Sequence, residues 1–204
     1  MKKIITFCVV LLLSLNIKAQ DVASSGVGYR EFQSWSADMM AGLFLPLDQP
    51  LTFYNFGVYP RYNVIAPRDY FSVSAGFPLN AGFQLGFGSV GTIIQIMTDI
   101  PAAIDINFGA RATSYNSSLF GAFVGVGMDY NFMNFTYNSL KIIEHTVGPM
   151  IHGGFRWKIN GRETGLRISY TKGFGSADQV VNGIIVAGNP GNRILSFSVI
   201  YGLK

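Results

Sequence analysis

Residues Phe71 to Phe87 read FSVSAGFPLNAGFQLGF, with every odd position apolar and every even position small or polar. An alternation of period two marks a β-strand with two unlike faces. This run is about three times the usual strand length of about 5 to 6 residues. After the break GSVGT a second alternation follows, in which Ile94, Ile96, Ile100, Ile104, Ile106 and Phe108 share one face. Gln95, Asp99, Asp105, Asn107 and Arg111 share the other. Two such runs about a Gly-rich tip predict one tall antiparallel hairpin.

The same pattern recurs in shorter stretches. Trp35, Met39 and Leu43 oppose Ser36 and Asp38, and Tyr54, Phe56, Val58 and Tyr62 oppose Asn55, Gly57, Arg61 and Asn63. Phe120, Val124, Val126, Met128 and Tyr130 oppose Gly121, Gly125, Asp129 and Asn131, and Val147, Ile151, Phe155 and Trp157 oppose Thr146, His152, Arg156 and Lys158. Leu166, Ile168 and Tyr170 oppose Arg167, Ser169 and Thr171, and Leu195, Phe197, Val199 and Tyr201 oppose Ser196 and Ser198. These make eight strands. The connections IAPRD, ATSYNSS and INGR are short, the last with the Asn160-Gly161 hairpin signal. LPLDQP, GSVGT, NFTYNSLKIIEH and GSADQVVNGIIVAGNPGN join the other ends and are mostly longer. The expected fold is all-β, an eight-stranded antiparallel up-and-down transmembrane barrel with short turns at one rim and longer loops at the other.

The first 19 residues depart from the pattern. Lys2 and Lys3, the apolar run Ile4 to Leu15 and the small Ala19 predict a cleaved secretory signal peptide over 1–19, leaving a barrel domain over 20–204. The one cysteine, Cys8, leaves with the leader, so the mature chain has no disulfide and no thiol nucleophile. Lys2, Lys3 and Lys18 are 3 of the 15 basic residues, which leaves 12 against 11 acids. A near-neutral chain without a basic cluster gives no footprint for nucleic acid. Charged residues make up only 13%, and no apolar run after the leader is long enough for a transmembrane helix.

The charges choose between a membrane barrel and a soluble sandwich or barrel. The polar faces and their adjoining turns carry Asp38, Asp99, Asp105, Asp129, Glu144 and Glu163 against Arg61, Arg111, Arg156, Lys158 and Arg167. The apolar faces carry no charge in their central turns. That pattern suits an outer face in lipid, where a midplane Arg or Lys costs about 2 to 4 kcal/mol. Eight strands leave a lumen that side chains nearly fill. Asp38, Arg61, Asp105, Arg111, Asp129, Arg156 and Arg167 are therefore expected to pair inside as a charge network, either a packed ionic plug or an ion path. Tyr54, Tyr62, Tyr130, Trp157, Tyr170 and Tyr201 are expected near strand ends as interfacial belts, although aromatic β-propensity alone also places such residues in strands.

With these strands in place the chain resembles the small eight-stranded outer-membrane barrels of the OmpA, OmpX and OmpW kind. It is also similar to "outer membrane beta-barrel" proteins of Gram-negative bacteria with a TDIPAAIDINFGA-like fourth strand. The last strand, RILSFSVIYGLK, resembles the C-terminal strand read by barrel-insertion machinery, but ends in Leu203-Lys204 instead of an aromatic residue. The resemblance implies residence in the outer membrane, with outer-membrane lipid and lipopolysaccharide around the wall. Wall anchoring through a peptidoglycan-binding domain is not expected from this resemblance.

There is no phosphate loop or GxSxG elbow, and His145 and His152, seven apart, do not suggest a metal. Polar satisfaction accounts for both. A barrel deacylase would carry His-x-Ser, but here the histidines precede Thr146-Val147 and Gly153-Gly154. A barrel acyltransferase would want an amphipathic helix before the first strand and an apolar slot in the lumen, whereas DVASSGVGYREFQ is a weak helix candidate and the lumen reads as polar. The expectation is a non-enzymatic barrel without a cofactor, which scaffolds extracellular loops for envelope integrity, adhesion or surface recognition. The alternatives are a narrow channel for small hydrophobic or ionic solutes and, with less support, a secretion accessory barrel or a lipid A-modifying enzyme. The tall hairpin, about 40 Å high at about 3.3 Å per residue and a tilt near 40°, exceeds an apolar band of about 25 Å. Its upper part presents Phe83, Leu85 and Phe87 as an apolar surface for a protein partner.

Overall fold

The computed structural model describes residues 34–48, 51–88, 91–113, 116–137, 140–159, 162–181, 184–188 and 191–203. The expected leader lies outside the described residues. The strands are β1 (Trp35–Pro46), β2 (Phe53–Arg68), β3 (Phe71–Gly76), β4 (Leu79–Gly88) and β5 (Gly91–Gly109). They continue with β6 (Phe120–Tyr137), β7 (Leu140–Ile159), β8 (Arg162–Val181), β9 (Ile184–Gly188) and β10 (Gly191–Leu203). Each neighbour pairs antiparallel. The ring closes because β1 pairs with both β2 and β10, while β5 and β2 both pair with β3 and β4. The fold is an eight-stranded antiparallel up-and-down barrel.

The long third strand read from the sequence is divided into β3 and β4 by one missing rung. The register places Gly76 opposite Ala103 and Asn80 opposite Asp99, so Pro78 and Pro101 fall opposite each other. Neither has an N–H to donate. The ladder resumes in the same register on either side, and Phe77 N–H bonds the Pro60 carbonyl at 3.0 Å. β3 and β4 are thus a single stave of the wall.

Following the paired residues once around the ring measures its stagger. The path runs from Val73 through Ile106, Val124, Gly153 and Ile168. It continues through Phe197, Leu43 and Tyr54 and returns to the starting stave at Phe83, ten residues above Val73. Eight strands with that stagger tilt by about 40°.

The two faces separate as the alternation requires. Outward-pointing Ile104, Val126 and Phe155 are 60%, 60% and 68% exposed, whereas inward-pointing Arg61, Asp105 and Arg156 are 2% exposed or less. Aromatic rings gather on the outside at two heights. Trp35 packs on Tyr62, and Phe71 on Phe108, at 5.1 Å each near the lower rim. Higher up, Tyr54 meets Phe83 at 6.1 Å and Phe132 meets His145 at 5.0 Å. Along β2, Tyr54 and Tyr62 are eight residues apart, which at about 3.3 Å per residue and this tilt separates the girdles by about 20 Å.

The segment NFTYNSLKIIEH, read as a loop, is the top of a hairpin, because β6 runs to Tyr137 and β7 starts at Leu140. Likewise β8 continues to Val181 and β9 folds back along it. The hairpin of β4 and β5 is therefore one of several tall ones. Tyr130 consequently lies well below the end of its strand, because pairing continues above it through Tyr137 and Leu140.

Val126 lies midway between the girdles on the outer face. Val126→Arg is expected to cost about 2 to 4 kcal/mol when the chain is folded in a bilayer, measured as a lower urea midpoint for unfolding from vesicles. An unchanged midpoint would mean that this face does not meet lipid.

Candidate functional site

Every inward position has to share a narrow lumen, and the side chains sort into storeys. The lowest is ionic. Asp38 on β1 is bridged by Arg111 Nε at 2.8 Å and Arg156 Nη2 at 3.6 Å. Arg61 donates to Ser36 Oγ, Asn107 Oδ1 and the Arg111 carbonyl, each at 2.8 Å. Arg156 shares Asn107 Oδ1 at 3.0 Å and lies 4.1 Å above the Phe123 ring. One step higher, Asp105 accepts from the Tyr59 hydroxyl and meets His152 Nε2 at 2.8 Å. Arg167 Nε donates to His152 Nδ1 at 3.0 Å. A guanidinium can only donate, so Nδ1 accepts and the ring proton sits on Nε2, facing Asp105.

Glycines make room for these groups. A Cβ on Gly125 would overlap both Asp105 Oδ1 and His152 Nε2, and one on Gly76 would overlap the Tyr59 ring. The small residues of the polar faces are therefore the complement of the large groups on the neighbouring strands.

Arg111 differs from its sequence assignment. It lies beyond β5, in the turn towards β6, with φ 62°, a left-handed backbone that costs a non-glycine residue free energy. The conformation turns its side chain back under the barrel. There it pairs with Glu163 and donates to the carbonyls of Ala37 at 2.6 Å and Leu203 at 2.9 Å. The rest of this turn also enters the lower mouth. The Ala112 carbonyl accepts from Asn63 and Ser72, and Thr113 donates to the Asp69 carbonyl. The segment ATSYNSS, read as a plain short turn, begins with residues that form a cap.

Asp129 does not join the ionic storey. It accepts from Asn131 at 2.8 Å and Thr171 at 2.7 Å, higher in the lumen. Of the seven residues expected in one network, Asp38, Arg61, Arg111 and Arg156 are linked directly or through Asn107, while Asp105 and Arg167 form a second group through His152 and Tyr59. These three linkers and Glu163 were outside the expected network. Their place in the alternating faces signals an inward direction, but not whom they meet.

The lumen is not uniformly polar, contrary to the sequence reading. Phe44, Leu51, Phe53, Met97, Met133 and Ile194 form a buried apolar cluster above Asp129, and Met40, Tyr59, Phe123 and Ile200 form another beside the ionic storey. Phe53, Met97 and Met133 are wholly buried, so this layer is packed and not a slot. Among the described residues no three of His, Cys, Asp and Glu converge as metal ligands.

Outside the barrel, Phe83 stacks on Phe56 at 6.1 Å and belongs to the upper girdle. Leu85 lies one outward step higher and is 49% exposed. Phe87 pairs through its backbone with Thr92, and its side chain lies outside the described residues. Above Phe83 the described pairing of β4 is to β5 alone, because its pairing with β2 ends at Tyr54. At the top of β1, Asp48 accepts from Arg193 Nη2 at 2.5 Å and from its backbone N–H at 2.9 Å. The Arg193 hydrogen bonds hold the Asp48 carboxyl below the usual carboxylate range.

No protein-family model matches the chain, and no curated protein matches it. Among solved structures it is similar to Neisserial surface protein A (NspA), with a TM-score of 0.55 and 11% identity over 87% of this chain and 99% of that one. It is also similar to the outer membrane protein OprG from Pseudomonas aeruginosa, with a TM-score of 0.47 and 12% identity over 86% and 98%. The Escherichia coli outer membrane protein W gives a TM-score of 0.40 and 14% identity over 85% and 100%. The NspA likeness shows that this chain has the fold of the small eight-stranded outer-membrane barrels.

Gly125→Ala is expected to destabilise the barrel by about 1 to 3 kcal/mol, since the added methyl must displace a carboxylate and imidazole already bound to each other. Heat-modifiable gel mobility at a lower temperature would record it. A group whose carboxyl is lowered on folding adds stability above its unfolded value of about 3.9, and loses it as pH falls through the folded value. The stability difference between the native chain and Asp48→Asn should therefore be present at neutral pH and shrink as pH drops below about 4, read from thermal transitions across that range.

Proposed function

We propose that the protein is a closed outer-membrane barrel, non-enzymatic, whose wall holds extracellular hairpins in place for envelope integrity, adhesion or surface recognition. The observation that carries this reading is the filled lumen. The turn after β5 caps the lower mouth, the Asp38–Arg111–Arg156 cluster crosses it, and the packed Phe44, Phe53, Met97 and Met133 layer lies above. A water-filled path would have to break buried ion pairs, whose separated charges are costly.

Placement in the outer membrane is supported by the apolar outer face between two aromatic girdles, since such a band matches the hydrocarbon thickness crossed by barrels of this kind. The surroundings of the wall are then lipid and lipopolysaccharide, and β10 is the strand that insertion machinery would read. The hairpins above the upper girdle are the parts free to meet a partner. On β4, the edge above Phe83 has no strand partner on the β2 side among the described residues, which suits strand addition beside Leu85 by a protein partner.

Planar-bilayer recording tests closure, and cysteine labelling of the same protein tests placement. The native chain and Arg111→Ala are both expected to be electrically silent. Asp48→Cys should react with an impermeant maleimide on intact cells, and Arg162→Cys at the opposite rim only after permeabilisation. Steady conductance on loss of Arg111 from a folded barrel would instead favour the narrow-channel reading.

A further inference from the structure

The middle storey of the lumen holds oxygen atoms that the ionic storey below does not use. Asp99 stands directly opposite Asn80 on one side and Asn131 on the other. Asn80 Nδ2 donates to Asp99 Oδ2 at 2.6 Å, and Asn131 Nδ2 and Thr171 Oγ1 donate to Asp129 Oδ2 at 2.8 and 2.7 Å. Asp99 and Asp129 lie on neighbouring strands, with Asp129 two residues below Asn131, the partner of Asp99. Both amide groups spend their N–H donors on carboxylates, and Asn80 Oδ1, Asn131 Oδ1 and Asp129 Oδ1 have no protein partner.

An independent residue points into the same space. Asn55, from the opposite side of the β2–β4 seam, is 1% exposed and has neither amide atom hydrogen-bonded. Its cross-strand neighbours are Gly42 and Gly82, so neither adjoining strand supplies a polar side chain at its level. Asn55 lies one inward step below Phe53, as Asp99 lies below Met97 and Asn131 below Met133. All three therefore lie just beneath the apolar layer.

The charge here is unbalanced. Among the described residues no Lys, Arg or His lies within 4.0 Å of either carboxylate. Arg167, below this storey, directs its nitrogens to His152, Met40 and Met150. Two carboxylates enclosed together need either a shared proton or a cation.

We propose that this storey binds a divalent hard cation, Ca²⁺, between Asp99 and Asp129, with the carbonyl oxygens of Asn55 and Asn131 and the Thr171 hydroxyl as neutral donors. An all-oxygen set without nitrogen or sulfur disfavours zinc and copper. Mg²⁺ keeps several of its waters and needs near-ideal octahedral geometry, whereas Ca²⁺ accepts about 6 to 8 oxygens in irregular arrangements. The apolar layer above and the ionic storey below enclose the site, so the cation enters as the barrel folds and leaves slowly. This inference goes beyond the closed-barrel reading and does not depend on the conductance result.

The test is refolding of the full chain into detergent micelles with CaCl₂, with MgCl₂ or with a chelator, followed by removal of free ion. Retained calcium is read by atomic emission, and the barrel transition by heat-modifiable mobility. The native chain should retain calcium close to one per barrel, and its transition should be higher than after refolding with chelator. Asp99→Asn with Asp129→Asn keeps side-chain volume and should lose both the retained calcium and the calcium-dependent rise. Asn55→Ala should retain less calcium than the native chain. Equal retention by the double variant would place the ion on the surface and overturn the proposal. If that variant does not fold, the native chain decides alone, because no retained calcium and an unchanged transition would mean that the two carboxyls share a proton.

Discussion

A ring of eight strands staggered by ten residues leaves a lumen only as wide as the side chains that enter it, and the rest of the structure answers to that lack of room. Arg61, Arg111, Arg156 and Arg167 are all 8% exposed or less, so each buried charge has to find its partner within the layer it occupies. That is why large inward groups sit beside glycines on the adjoining strands. Gly125 lies beneath the Asp105–His152 pair, and Gly76 beneath the Tyr59 ring. It is also why charge and apolar packing occupy separate heights, with Phe44, Phe53, Met97 and Met133 together above the carboxylates.

The outer surface obeys a different rule, set by the solvent alone. Outward residues have no partners to satisfy and need only be apolar between the girdles. Positions such as Ile104 and Val126 therefore tolerate each other's identity, while the inward set is specific in size, charge and donor count. The missing rung at Pro78 and Pro101 fits the same division. It removes hydrogen bonds from the ladder without moving a side chain off its face, since the register is the same before and after it.

Most of the wall was legible in the sequence, because a two-residue period is a local property that each strand carries by itself. Trp35 to Leu43 and Leu195 to Tyr201 declare their faces without reference to each other. What lay beyond reading was anything decided between strands. Asp129 shares the inward alternation of Asp105, yet meets Thr171 and Asn131 and not the arginines, because height in the lumen depends on stagger accumulated around the ring. Arg111 continues the alternation of its strand in sequence but has left it in space, through a positive φ that no pattern of polarity announces. The tops of β6, β7 and β8 read as loops in the sequence, since above the girdle the outer face meets water and loses its apolar signature.

Alternation cannot enforce the stagger itself. Slipping one strand by a single residue would exchange the faces and expose every charge, but slipping it by two would leave the faces intact. The seam between the first and last strands is where such an error could pass unnoticed, as its two edges come from opposite ends of the chain. Arg111 bonds the carbonyls of Ala37 and Leu203, which are themselves a paired couple across that seam. A slip of two would carry one of these carbonyls out of reach while the other remained. The guanidinium thus works as a gauge, checking from across the barrel which of the even registers has closed.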